Sequence, residues 1–103
     1  MSSLDVHSRD LATVRRILAR HIPECDVYAF GSRVTGKARK ASDLDLAVMT
    51  RKPLDAMRRA DLREAFSETG LPFKVDLVDW AGTKENFRKI ILQNQFLVQT
   101  GKK

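Results

Sequence analysis

The sequence predicts an α/β (α+β) domain, a small mixed sheet of about three strands flanked by helices in the order αβ(short α)βαβα. Two observations carry that expectation. Three short apolar runs, 27–30, 43–49 and 73–79, have the alternation or the β-branched and aromatic content of strands. Around and between them, residues 8–22, 53–69 and 84–99 repeat apolar side chains at helical spacing. At 103 residues the chain reads as one domain, 1–103, with one hydrophobic core.

Each element has its own signals. In the first helix, 8–22, Leu11, Val14, Leu18 and Ile22 recur on one side and Arg15, Arg16 and Arg20 lie elsewhere. Ser8 or Asp5 is the expected cap, and Pro23 ends the helix. Val27-Tyr28-Ala29-Phe30 is the first strand and runs into Gly31. Residues 32–39 can open with a short helix. Asp43 to Met49 is the second strand. Its alternation puts Asp43, Asp45 and Ala47 on one face and Leu44, Leu46 and Val48 on the other.

Pro53 suits the first turn of the next helix, 53–69, whose stripe is Leu54, Met57, Leu62, Ala65 and Phe66. Gly70 and Pro72 stop it. The third strand is Phe73 to Asp79, with Val75 and Leu77 on one face and Asp76 and Val78 on the other. The last helix is expected over 84–99, capped by Thr83 and anchored by Phe87, Ile90, Ile91 and Leu97. The helices should pack on the Leu44/Leu46/Val48 face and leave the aspartate face as an open cleft. The tail 101–103 is expected to fray.

Bulk properties narrow the class. No apolar run approaches the roughly 20 residues that span a bilayer, and Met1-Ser2-Ser3-Leu4-Asp5 lacks a signal pattern, so a cytoplasmic location is expected. A single cysteine, Cys25, permits no internal disulfide and reads as a small core or loop residue. The net charge is +6 with a pI near 9.9, so the surface attracts polyanions. Arg33, Lys37, Arg39 and Lys40 form its densest stretch.

The candidate chemistry sits between the first and second strands. Gly31 permits a tight backbone and close approach of a ligand, Ser32 adds a hydroxyl donor, and a helix starting there points free N–H groups at a phosphate. Arg33 is a candidate phosphate contact. The sequence is not a P-loop, because Gly-x-x-x-x-Gly-Lys-Ser/Thr is missing. Asp43 and Asp45 lie about 7 Å apart along one side of a strand and would repel each other without compensation. Mg²⁺ or Mn²⁺ would provide it, being hard cations that prefer carboxylate oxygen. Asp76 shares their phase and could complete the set. Asp79 is the rival third carboxylate, but by parity it falls on the other face, near a strand end where a solvated turn residue is usual.

The set Gly31-Ser32, Asp43-Leu44-Asp45 and Val75-Asp76-Leu77-Val78 resembles the nucleotidyltransferase superfamily that includes DNA polymerase beta and kanamycin nucleotidyltransferase. The run from Gly31 through Ser42-Asp43-Leu44-Asp45-Leu46-Ala47-Val48 is most similar to the minimal nucleotidyltransferases, small prokaryotic proteins of about this length. The resemblance implies the nucleotidyltransferase fold, two Mg²⁺ ions (or Mn²⁺) on Asp43, Asp45 and Asp76, and ATP as donor with its triphosphate at Gly31 and Ser32.

It also implies a partner, the helical HEPN-type toxin encoded beside many such proteins. This chain would then be the antitoxin of a type VII-like pair and transfer AMP onto a tyrosine of the toxin. Larger relatives hold the acceptor in a second domain, so here it is expected from another chain or a homo-oligomer. The competing readings are a non-catalytic, nucleotide-binding antitoxin that neutralises by occlusion, and a basic nucleic-acid-binding protein. The sequence shows no aromatic–basic interleaving and no recognised DNA-binding module to support the last.

Overall fold

A computed structural model describes residues 3–102. Its elements are α1 (Ser8–His21), β1 (Asp26–Phe30), α2 (Ser32–Thr35), β2 (Leu44–Met49), α3 (Ala56–Ser67), β3 (Val75–Asp79), a 3₁₀ turn (Trp80–Gly82), α4 (Glu85–Gln93) and β4 (Phe96–Gln99). The strands form one sheet in the order β3-β2-β1-β4. β1 runs antiparallel to both β2 and β4, and β2 runs parallel to β3. The sheet is therefore mixed, as expected, with α3 as the crossover of its parallel pair. Among the described residues, no helix is long and apolar enough to cross a membrane.

The larger core lies on one face. Val14, Ile17 and Leu18 of α1 and Leu62 and Phe66 of α3 meet Val27, Ala29, Leu44, Leu46, Val48, Leu77 and Val98 of the sheet. The expected phase of β2 holds: its leucines point into this core, while Ala47 packs on the other face with Phe30 and Ile91. That second face is not left open. α4 covers part of it through Ile91, with Met49, Val78 and Trp80 around the contact. What remains for the aspartates is a cleft beside α4.

The largest departure from the sequence reading is the C-terminus. The helix expected to run to residue 99 stops at Gln93, Asn94 turns extended (φ −144°, ψ 105°), and Phe96–Gln99 form a fourth strand. Tertiary pairing overrides local pattern here. β1 has an open edge, and β4 satisfies its backbone with Tyr28 opposite Leu97 and Ala29 opposite Phe96. Side chains seal the seam: Gln99 donates to the carbonyls of Ile22 (3.0 Å) and Cys25 (2.9 Å), and Arg15 donates to that of Val98 (2.9 Å). Gly101 and Lys102 do not fray. Their N–H groups donate to the Asp26 carboxylate (2.6 Å) and the Pro23 carbonyl (2.8 Å). Lys103, like Met1 and Ser2, lies outside the described residues.

Several helix ends also differ. His7 caps α1, its Nδ1 accepting from the Arg9 N–H at 3.1 Å, where Ser8 or Asp5 was expected. Asp55 caps α3 by accepting from Met57 N–H (2.7 Å), so Pro53 precedes the helix rather than opening it. Met57 is 71% exposed and no part of the stripe. Thr83 does not cap α4; its hydroxyl donates back to the Asp79 carbonyl (2.7 Å). Of the four residues expected to anchor the last helix, only Ile91 is buried.

Candidate active site

The cleft is assembled by strand register. Phe30, the last residue of β1, pairs with Asp45, and Asp45 pairs with Asp76 on the parallel neighbour β3. The side chains of directly opposed residues share a face of the sheet. The register therefore brings Asp45 beside Asp76 and sets the turn after Phe30 against both. Asp43 lies one residue ahead of β2, exposed; it lines a neighbouring cavity with Phe66, Phe73 and Val75 rather than the cleft itself, and reaches Asp45 through its charge.

Gly31 makes the turn. Its backbone (φ 82°, ψ −155°) lies in a region that only glycine visits at low cost. A Cβ at this position would collide with the Asp45 carboxylate. The carboxylate and the turn thus occupy one small space, which a side chain would fill. α2 starts at Ser32, with the N–H groups of Val34 (3.0 Å) and Thr35 (3.1 Å) donating to the Gly31 carbonyl. Gly36, left-handed, closes it after a single turn. Gly31 and Thr35 line one wall of a cleft of about 530 Å³, Asp45, Asp76 and Val78 its floor, and α4 the opposite wall.

The electrostatics show what the cleft favours. Burial, then the charge of Asp76, then that of Asp43 push the Asp45 carboxyl up to about 6. A site that resists ionisation of its own central carboxylate is a site where a cation is favourable. Three hard oxygen donors fit Mg²⁺ or Mn²⁺ and not a soft metal. Among the described residues, no three His, Cys, Asp or Glu side chains are already drawn together as a ligand cluster.

Arg33 is not in the cleft. It is 7% exposed, and its guanidinium donates to the carbonyls of Ser42 (2.7 and 3.1 Å), Asp5 (2.9 Å) and Lys40 (3.4 Å) while lying 4.5 Å over the Phe73 ring. With its donors turned to these carbonyls, the expected phosphate contact is withdrawn. Arg33 instead ties α2 to the loop that leads into Asp43. The Ser42 hydroxyl completes that loop by accepting from Arg39 N–H (2.8 Å). Lys37, Arg39 and Lys40 remain exposed on it. Arg33→Met removes the buried guanidinium that ties the carbonyls of residues 5, 40 and 42 together, so urea unfolding should show a loss of about 2 kcal/mol.

Asp79 is not a solvated turn residue. It is 7% exposed and accepts from Thr50 Oγ1, Leu54 N–H (2.5 Å) and the Arg59 guanidinium (3.1 Å). Its carboxylate pins the loop after β2, which leaves Asp76 as the third cleft carboxylate. Trp80 packs under Arg88, whose guanidinium sits 4.8 Å over the indole and donates to its carbonyl (2.7 Å). The sequence reading missed Gln93 and Asn94 as cleft residues and took Phe87 and Ile90 for core anchors. No spacing signals this wall, because the path of α4 across the sheet is a tertiary property.

Comparison with known proteins identifies the family and agrees with the fold. A family model described as Polymerase beta, Nucleotidyltransferase matches residues 13–103. A Haemophilus influenzae protein named Probable protein adenylyltransferase MntA is 51% identical over 102 residues, covering 99% of this chain and 90% of that protein. The crystal structure of a toxin–antitoxin with AMP-PNP superimposes with a TM-score of 0.74 at 26% identity, covering 90% of this chain and 74% of the other. A Shewanella oneidensis structure described as a tri-AMPylated HEPN toxin in complex with MNT antitoxin shares the fold. Its TM-score is 0.69 at 24% identity, covering 94% of this chain and 74% of that one.

Proposed function

The chain belongs to the polymerase beta nucleotidyltransferase family, and from that premise we propose that it transfers AMP from ATP to a tyrosine of a partner protein. The partner is a helical HEPN-type toxin, this chain is its antitoxin, and residues 1–103 act as one nucleotidyltransferase domain in the cytoplasm. One observation carries the reading. The register Phe30–Asp45–Asp76 gathers a glycine turn and two carboxylates on one cleft floor, with the charge of Asp43 close enough to act on Asp45. The 51% identical relative named as an adenylyltransferase and the AMP-PNP-bound toxin–antitoxin fold support it.

In this mechanism Gly31 leaves room for a phosphate beside Asp45, and Ser32 donates its hydroxyl and N–H to the triphosphate. Asp43, Asp45 and Asp76 would hold divalent cations, two Mg²⁺ in the reading we favour. Such ions, when bound, stabilise the charge that develops on the transferring phosphoryl group. Asp76, exposed on the β3 side, takes the phenolic proton as the tyrosine oxygen bonds to the α-phosphorus and pyrophosphate leaves. Acceptor positioning falls to the partner.

The test uses this protein with its partner, Mg²⁺ and ATP labelled at the α-phosphate. Label should move to the partner and mass spectrometry should place adenylyl on a tyrosine. Asp43→Asn should abolish both signals. Transfer by the Asn variant, or none by the parent with any nucleotide, sinks the proposal. Neutralisation of the toxin by a transfer-dead Asp43→Asn protein would instead point to occlusion.

A further inference from the structure

We propose that the cleft-facing side of α4 is the seat of the donor nucleobase, with Phe87 and Ile90 covering its face and Gln93 and Asn94 selecting adenine. The inference rests on the nucleotidyl-transfer reading of the cleft and adds a base subsite to it. Phe87 is 39% exposed and Ile90 57% exposed, yet both line the same cleft as Asp45 and Asp76. Apolar surface beside a cluster of carboxylates is of no use to a triphosphate. It suits the flat, apolar face of a base.

The wall is on the donor side of the cleft. The Phe87 ring meets Phe30 edge-on, centroids 5.6 Å apart, and Phe30 runs directly into Gly31. The ledge is therefore continuous with the turn assigned to the phosphates, while Asp76 opens toward β3, the side assigned to the acceptor. At the end of the ledge, Gln93 and Asn94 bring two amides to the cleft. An amide offers a donor and an acceptor together, the pattern of adenine N6 and N7. Guanine presents two acceptors at O6 and N7, which call for Arg or Lys, and neither type lines this cleft.

The test is equilibrium binding of ATP and GTP to the protein with Mg²⁺, measured by displacement of a fluorescent nucleotide, which needs no acceptor and no transfer. The parent should prefer ATP by about tenfold. Gln93→Ala with Asn94→Ala should bring that ratio close to one, and Ile90→Ser should weaken both nucleotides several-fold. All three positions are solvent-facing, and melting curves report whether each variant folds. Equal binding of ATP and GTP by the parent overturns the proposal, as does a ratio untouched in the double variant. A rise only in the acceptor protein's KM, with nucleotide binding unmoved, would assign the ledge to the partner. If the parent binds ATP selectively but transfers nothing, the base seat stands and the transfer reading falls.

Discussion

At pH 7 the Asp45→Asn protein should melt at a higher temperature than its parent while losing nucleotidyl transfer. The reason is the cost of ionising Asp45 beside the other carboxylates of the cleft. Its carboxyl, ordinarily near 3.8, is pushed up to about 6 by burial and by the charges of Asp76 and Asp43. A carboxyl whose folded pKa is raised favours the fold below its unfolded value of 3.8 and loses that advantage as pH climbs through about 6. Above that range the charged side chain is a net burden on the metal-free protein. Asp45 is half-buried, so solvent screens part of the effect, and about 1 kcal/mol is the reasonable scale.

For a domain of this size that is roughly 5 °C in Tm. The gain should be absent at pH 4 and full at pH 7.5 in melts with EDTA. Mg²⁺ should raise the Tm of the parent and leave the variant nearly unchanged. Transfer should fall by more than about a hundredfold, the scale on which a preorganised electrostatic group contributes. A variant less stable than the parent at pH 7 would contradict the electrostatic account. Stability and function are then opposed at one side chain, as happens where a site stores unfavourable charge for its ligand.

Gly31→Ala should be the most damaging single change among the glycines of the site. Two penalties act together. The backbone at φ 82° and ψ −155° is closed to side-chain-bearing residues, at a cost of about 1–3 kcal/mol. The added methyl also meets the Asp45 carboxylate. The two can be separated by a double-mutant cycle. In an Asp45→Ala background the collision disappears and only the backbone penalty remains, so Gly31→Ala should cost measurably less there in urea unfolding. Additive losses would mean that the turn and the carboxylate do not share space. Transfer by Gly31→Ala should fall by at least about tenfold even where the protein is folded, because the turn proposed to hold the phosphates is displaced.

The aspartates were legible because strand alternation is a local property. Asp45 and Ala47 must oppose Leu44, Leu46 and Val48 whatever the sheet order, and parity added Asp76 and set Asp79 on the other face, whereas Asp43 falls just outside the strand. Gly31-Ser32 was legible because the residues after an apolar run can turn sharply only with such chemistry. Arg33 misled for an instructive reason. Its place in a basic stretch suggests a ligand contact, but its side chain is buried and the carbonyls of 5, 40 and 42 claim its donors first. β4 misled because Phe87, Ile90, Ile91 and Leu97 fit a helical repeat. Whether Leu97 continues a helix or pairs with Tyr28 depends on an open strand edge some seventy residues earlier in the chain.

By itself, then, the sequence determined the layered α/β class, the phase of Asp45, Asp76 and Asp79 and the glycine turn, since these follow from period-two alternation and backbone sterics within a few residues. Only the tertiary structure decided that Phe30, Asp45 and Asp76 lie in register, that Arg33 and Asp79 are structural, and that α4 walls the cleft. Those facts depend on which distant backbone and side-chain groups satisfy one another, and local periodicity carries no record of such partners.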